Sequence, residues 1–445
     1  MIQLYDSFHR ESRDLYDSLA QAGYSCPAVV IHDDGFLPAG VRSPYAYFCQ
    51  MEKGSGSPLY FNQVPVPHLM EITGTNQKAE VWDYTTLRAT IFYAEPQHLR
   101  LVKNVDWLDL EGRVCCTDHY NQYGWLYART YFSSSMQATI KKWYSQDGEE
   151  RIVEHFFTGD ILLHWQGQTH LFENRVAFLR FYLEEADLDI SRIWYNSLST
   201  PFFLSHALEG TGQDILFWQE PITDHIPGNM EVLLASATHR TQQIVVQDRQ
   251  TYHKICRLLP EDQLQKVTYL GYIYQEKRPY HAGKDIFIFT YSDQIEQLAY
   301  LTEVLSDYTF HIAALTEMSH HLLAFDDKEN VHLYPSISRQ TLAKLYKRCT
   351  IYLDINHGDE VMKVIRTAFE HNLLLFAFDN TVHDASFILS KHILSQHAPK
   401  DLVAAIRTAT EEGAHAVARQ RLDTSQEQPG AYRALLGEGY GKKEE

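Results

Sequence analysis

A few short runs of this chain hold residue types that could do chemistry. Asp33-Asp34-Gly35 follows the apolar run Ala28–His32, and Asn356-His357-Gly358-Asp359-Glu360 follows Tyr352-Leu353-Asp354-Ile355. Adjacent carboxylates suggest metal binding, but the DxD spacing is absent, so Asp33-Asp34 reads first as a turn at a strand's carboxyl end. Such ends are where open α/β sheets take ligands, which leaves a polar contact in a cleft as the functional reading. The same two readings, a satisfied turn or a ligand contact, apply to Asn356, His357 and Asp359. His320-His321 lacks the HExxH spacing, and neighbours in a helix do not share a face, so the pair reads as a solvated segment. The six cysteines include no CxxC. Scattered thiols in a large chain indicate buried structural residues in a reducing compartment, with neither zinc nor disulfides. No GxSxG elbow, Walker loop or GxGxxG occurs. No catalytic residue, cofactor or metal site is expected.

The elements that would position these runs fall into three stretches. A length of 445 residues allows two to four domains, and 44% hydrophobic residues suffice for sizeable cores. The net charge of -18 argues against a nucleic-acid partner and against general adhesion to anionic lipid, leaving only a local patch. No stretch reaches the ~18 apolar residues of a membrane span, and no signal peptide is evident, so a cytoplasmic location is expected. Residues 1–58 read as a helix and a buried strand, ending at Gly54-Ser55-Gly56-Ser57-Pro58. From 59 to 174 the period is two, with turn clusters such as Asp147-Gly148 and Gln166-Gly167, which indicates an antiparallel meander followed by a helix over 175–185. Beyond Ile193 apolar strands alternate with helices, with strands expected at Ile215–Trp218, Val232–Ala235, Ile244–Val246 and Val267–Leu270. After the polar linker Tyr274–Lys284 the alternation restarts at Asp285. Such alternation predicts parallel, doubly wound sheets.

The fold class expected is therefore α/β and GT-B-like: two Rossmann-like domains facing a cleft, with an antiparallel extended β-sheet domain inserted in the first. The expected boundaries are 1–58 with 186–273 for the first domain, 59–185 for the insert and 285–422 for the second domain. Residues 423–445 are expected to be a disordered tail. The insert is long and aromatic, with Tyr127, Tyr131, Phe132, Trp143 and Tyr144. It is expected to expose an apolar face or an unpaired edge, and to be removable without loss of either Rossmann-like fold.

Several long words of the sequence are distinctive: HDDGFLP (His32–Pro38), YFNQVPVP (Tyr60–Pro67), RLVKNVDW (Arg100–Trp107), DHYNQYGWLYART (Asp118–Thr130), TGDILL (Thr158–Leu163) and YLDINHGDE (Tyr352–Glu360). Through them the chain, from Met1 to about Leu422, resembles the GtfB family of glycosyltransferase-stabilising proteins of the bacterial accessory Sec system. The resemblance implies a non-catalytic subunit that partners a homologous catalytic transferase, GtfA, as a heterotetramer. The pair would add the first sugar, GlcNAc or Glc, to Ser/Thr of serine-rich repeat adhesins before export. It further implies that this subunit holds the unfolded acceptor polypeptide, and that the export machinery brings it to the cytoplasmic face of the membrane. Asp33, Asp34, Asn356, His357 and Asp359 are the acceptor-binding candidates.

The alternative is an active GT-B enzyme with an unconventional donor site. A retaining GT-B enzyme grips a nucleotide-sugar diphosphate with an Arg and a Lys at the end of its second domain's first strand. Here no Lys or Arg occurs between Lys284 and Lys328, and Asp293 and Glu296 stand in that region. Such enzymes also use two Glu separated by seven residues. The matching positions hold Asp359 and Thr367, and Glu360-Val361-Met362-Lys363 replaces the glycine-rich turn between them. Thr367 cannot bridge two ribose hydroxyls as a carboxylate does. Both departures favour the non-enzymatic reading.

Overall fold

A computed structural model describes residues 1–210, 212–235 and 239–437. The chain divides into two compact units, Met1–Leu270 together with the chain from Tyr432, and Gly271–Ala431. Each is built on a parallel sheet.

In the first unit seven strands run in the spatial order Val267–Tyr269, Thr241–Val246, Asp214–Trp218, Ile193–Tyr195, Ile2–Ser7, Ala28–His32 and Val41–Arg42, every neighbouring pair parallel. In the second unit six parallel strands follow the order Val331–Tyr334, Thr309–Ala314, Asp285–Thr290, Ile351–Asp354, Leu374–Phe378 and Ile393–Leu394. That is the 3-2-1-4-5-6 order of a doubly wound sheet, which leaves a ligand crevice between strands 1 and 4. Leaving aside the insert, the first sheet has the same order with a seventh strand added.

The expected strand at Val232–Ala235 is instead part of a helix, Gly228–Ala235. Met230, Leu233 and Leu234 are buried at i, i+3 and i+4, a helical face that a four-residue apolar window does not distinguish from a strand. The expected disordered tail is also corrected for its described part. Pro429–Leu436 is a helix with Tyr432 and Leu436 buried, one turn apart on one face of a polar segment. The Tyr24 hydroxyl donates to the Tyr432 carbonyl at 3.4 Å. Residues 438–445 lie outside the described residues.

Between Glu71 and Phe172 the chain forms a ten-stranded antiparallel meander in sequence order. Its cover changes sides along its length. The face bearing Ala128, Trp143, Ile152 and Leu163 is fully buried. Tyr45 stacks on Trp143 at 4.1 Å, and Phe48 and Phe178 join the same core as the parallel-sheet residues Ile2, Leu4 and Val29. Of the five aromatics named for the insert, Tyr127 and Trp143 are thus interior. The meander and the first parallel layer share this core, so deleting the meander would expose Ile2, Leu4 and Val29 on one side. On the opposite face the first strands are covered instead: Ala79, Ile91 and Val105 lie under Val64, with Leu59, Phe61, Val66 and Met70 around them. Farther along that face lie the rows Cys116–Tyr131–Ile140 and Val153–Leu162–Leu171, the first continuing from Trp107, which packs against the Val64 cluster. Tyr131, Ile140 and Leu162 are half-buried, and Leu171 is 71% exposed.

Candidate functional site

The five candidate residues fall into two groups, one per unit. In the first, Asp33 follows the strand Ala28–His32. Its carboxylate accepts the Gly35 amide at 2.7 Å, an Asx turn that Gly35 completes with φ +81°. A side chain on Gly35 would meet the Tyr127 ring at 2.8 Å, so the turn is packed directly on the meander. Burial pushes the Asp33 carboxyl up to about 6, opposed by the Gly35 amide. Asp34 accepts the Phe36 amide at 3.1 Å and pairs with Lys103 of the meander at 2.7 Å. Lys103, on the strand Val102–Leu108, thereby ties this loop to the meander.

The second group stands at the switch point of the six-stranded sheet, after Ile351–Asp354 and beside the end of Asp285–Thr290. Asn356 is buried and spent on the backbone and its neighbour. Its carbonyl accepts from the Thr290 hydroxyl at 3.0 Å and the Gly358 amide at 2.9 Å, and its amide donates to the Gly358 carbonyl at 3.2 Å. It is a satisfied turn that ties two strand ends together. His357 Nε2 bonds Glu296 Oε2 at 2.9 Å, and Asn380, from the loop after Leu374–Phe378, donates to the same oxygen at 3.0 Å. Burial alone would raise the Glu296 carboxyl, but the Asn380 and His357 bonds outweigh it and hold the carboxyl low. Glu296 is therefore an ionised group at the strand ends. Asp359 is exposed beside these residues.

The turn leading into the helix Val364–Glu370 shows what replaced glycine. Met362 and Lys363 are both left-handed, with φ +51° and +53°, a conformation that costs non-glycine residues about 1–2 kcal/mol each. The carboxylate of Glu360 accepts the Ile365 amide at 3.1 Å, so the protein's own anion occupies the end of the helix where a phosphate would be drawn. Thr367 turns its hydroxyl back onto the Lys363 carbonyl at 3.1 Å. Two acidic side chains thus stand at the switch point: Glu296, held low by its hydrogen bonds, and Glu360, whose carboxyl burial lifts above its usual range. The strand ends can still offer amides, carbonyls and carboxylates to hydroxyl-bearing or peptide ligands.

Two members of this cluster carry no sequence signature. Asp354 is the last residue of its strand and only 2% exposed, and it binds both the backbone and the ring of His383, 29 residues on. Neither spacing nor a motif links the two; only the parallel order of their strands does. His320 and His321 are exposed on a one-turn helix, as expected. No helix among the described residues is long and apolar enough to cross a membrane.

Residues 2–48 match the family described as GtfB N-terminal domain, 70–173 the GtfB middle domain, 175–258 the GtfB third domain and 286–424 the GftB/GlyA-F C-terminal domain. A Streptococcus agalactiae relative, named UDP-N-acetylglucosamine--peptide N-acetylglucosaminyltransferase stabilizing protein GtfB, is 52% identical over 441 residues, covering 99% of this chain and 100% of the relative. A protein of the same name from Streptococcus pneumoniae is 44% identical over 92% of each chain. Among solved structures, a chain of a GtfA/B complex bound to UDP and GlcNAc aligns with TM-score 0.92 at 45% identity, over 99% of this chain and 100% of that one.

Proposed function

The chain belongs to the GtfB family of glycosyltransferase-stabilising proteins, and on that premise we propose that it is the non-catalytic, acceptor-binding subunit of a GtfA/B-type protein O-GlcNAc transferase. The observation that carries the non-catalytic part is the second sheet's switch point, where the carboxyls of Glu296 and Glu360 are bonded into the strand-end loops and no Lys or Arg occurs between Lys284 and Lys328. Its acceptor is an extended Ser/Thr-rich polypeptide, as in a serine-rich repeat adhesin awaiting export. The residues assigned to contact that polypeptide are Asp33 and Asp34 of the first unit and His357 and Asp359 of the second. Asn356 acts by shaping the loop.

The catalytic partner docks on the uncovered part of the meander. Tyr131, Ile140, Leu162 and Leu171 present apolar area there, interleaved with Lys142 and His155 on the same face, and burying it against an equivalent sheet would remove about 1,200–2,000 Å² from water if the interface is of standard size. Two copies of each subunit make the working assembly, at the cytoplasmic face of the membrane. The test is glycosylation of a Ser/Thr-rich peptide from UDP-GlcNAc by the chain alone, by its GtfA-type partner alone and by both co-expressed. Incorporation should need the partner and rise when the chain is present. Transfer by the chain alone would instead establish an active enzyme with an unconventional donor site.

A further inference from the structure

The loop Asp354–Asp359 is held by a group that neither the family match nor the sequence reading assigns. His383 Nδ1 faces Asp354 Oδ1 at 2.6 Å, the His383 amide donates to Asp354 Oδ2 at 2.7 Å, and His383 Nε2 faces the Gly358 carbonyl oxygen. Both ring nitrogens thus face atoms that only accept. A neutral imidazole has one N–H and one lone pair, so either tautomer would set its lone pair against a carboxylate or a carbonyl. A doubly protonated ring satisfies both and neutralises the buried Asp354 carboxylate, which would otherwise be expensive to bury.

We infer that His383 is a positioning residue, held as an imidazolium whose two N–H groups staple the loop Asp354–Asp359 to the loop that follows the strand Leu374–Phe378. The carboxyls facing it are Asp354 and Glu360, the latter lifted above its usual range by burial, and the hydrogen bond to Asp354 is the main cause of the His383 pKa rising to about 9. The same second loop is tied at two more points. The Thr381 hydroxyl donates to the Asp354 carbonyl at 2.8 Å, and Asn380 reaches Glu296. The staple therefore sets where His357 and Asp359 stand; its consequence for the acceptor rests on the function proposed above.

The test is ring-¹⁵N NMR of the full chain, with His383→Gln identifying the signal. Both ring nitrogens should remain protonated at pH 7.5, with a midpoint near 9. A singly protonated ring at pH 7.5 would overturn the inference. In His383→Gln, hydrogen exchange of the Gly358 and His357 amides should quicken about tenfold or more, the effect of losing a charge-assisted bond. Unchanged exchange would also overturn it. If that variant does not fold, Asp354→Asn serves: the His383 midpoint should fall well below that of the unsubstituted chain, and an unmoved midpoint would count against the staple. Faster exchange with an unchanged acceptor KM in the co-expressed complex would support the staple while removing this loop from acceptor binding.

Discussion

Asp33 holds a carboxylate in a place that resists charge. Burial lifts its folded pKa to about 6, above the ordinary carboxylate value of 3.8. A raised acid pKa means that the folded state binds its proton more tightly than the unfolded chain does. Stability contributed by protonated Asp33 is therefore present below about pH 4 and is lost as pH rises through 6. Asp33→Asn keeps an acceptor for the Gly35 amide and removes the charge. It should stabilise the protein by about 1–3 kcal/mol at pH 7–8, with the difference closing below pH 4, as measured by urea unfolding across that range. A destabilising effect at neutral pH would mean that the Gly35 contact needs the full carboxylate. The cost of burying this charge in a surface turn is consistent with retention for binding, so the same variant in the complex assay reports on acceptor affinity directly.

Within the ten-stranded meander, one strand carries two residues with opposite duties. Trp143 faces inward, stacked on Tyr45, while Ile140 lies on the uncovered face beside Tyr131. Trp143→Ala should therefore cost about 3–5 kcal/mol of stability, the usual loss for emptying an aromatic site in a core. Ile140→Lys should change stability by less than about 0.5 kcal/mol. It should nevertheless weaken co-purification with the catalytic partner and lower glycosylation in proportion. If Ile140→Lys leaves the complex intact while Trp143→Ala alone disrupts it, the partner docks elsewhere and this face is only a sheet surface. Period-two alternation made the strands legible. It could not say which half of each face is covered, because Tyr45, Phe48 and Phe178, which do the covering, lie outside the meander.

At the scale of the whole molecule, a family built on glycosyltransferase-like layers has kept the layers and lost the donor chemistry. Calorimetry on the purified chain should find UDP and UDP-GlcNAc binding weaker than about 1 mM, since the switch point carries Glu296 and Glu360 and no Lys or Arg occurs between Lys284 and Lys328. Micromolar affinity would show that the donor site survives in another form. The class of the fold, the meander and the missing cations were readable from the sequence, because apolar periodicity and the absence of a residue type are properties of the chain itself. So was the local character of Asp33 and Asn356, since Asx turns are made within a few residues. The tertiary structure decided what depends on distant partners. It made Val232–Ala235 helical, because its burying face follows the neighbouring turn, and it folded the chain around Tyr432, because residues near Tyr24 cover it. It also paired His383 with Asp354. The strand that Asp354 ends lies beside the strand Leu374–Phe378 that precedes the His383 loop, and that register is set by packing between layers and cannot be read from the 28 residues of intervening chain.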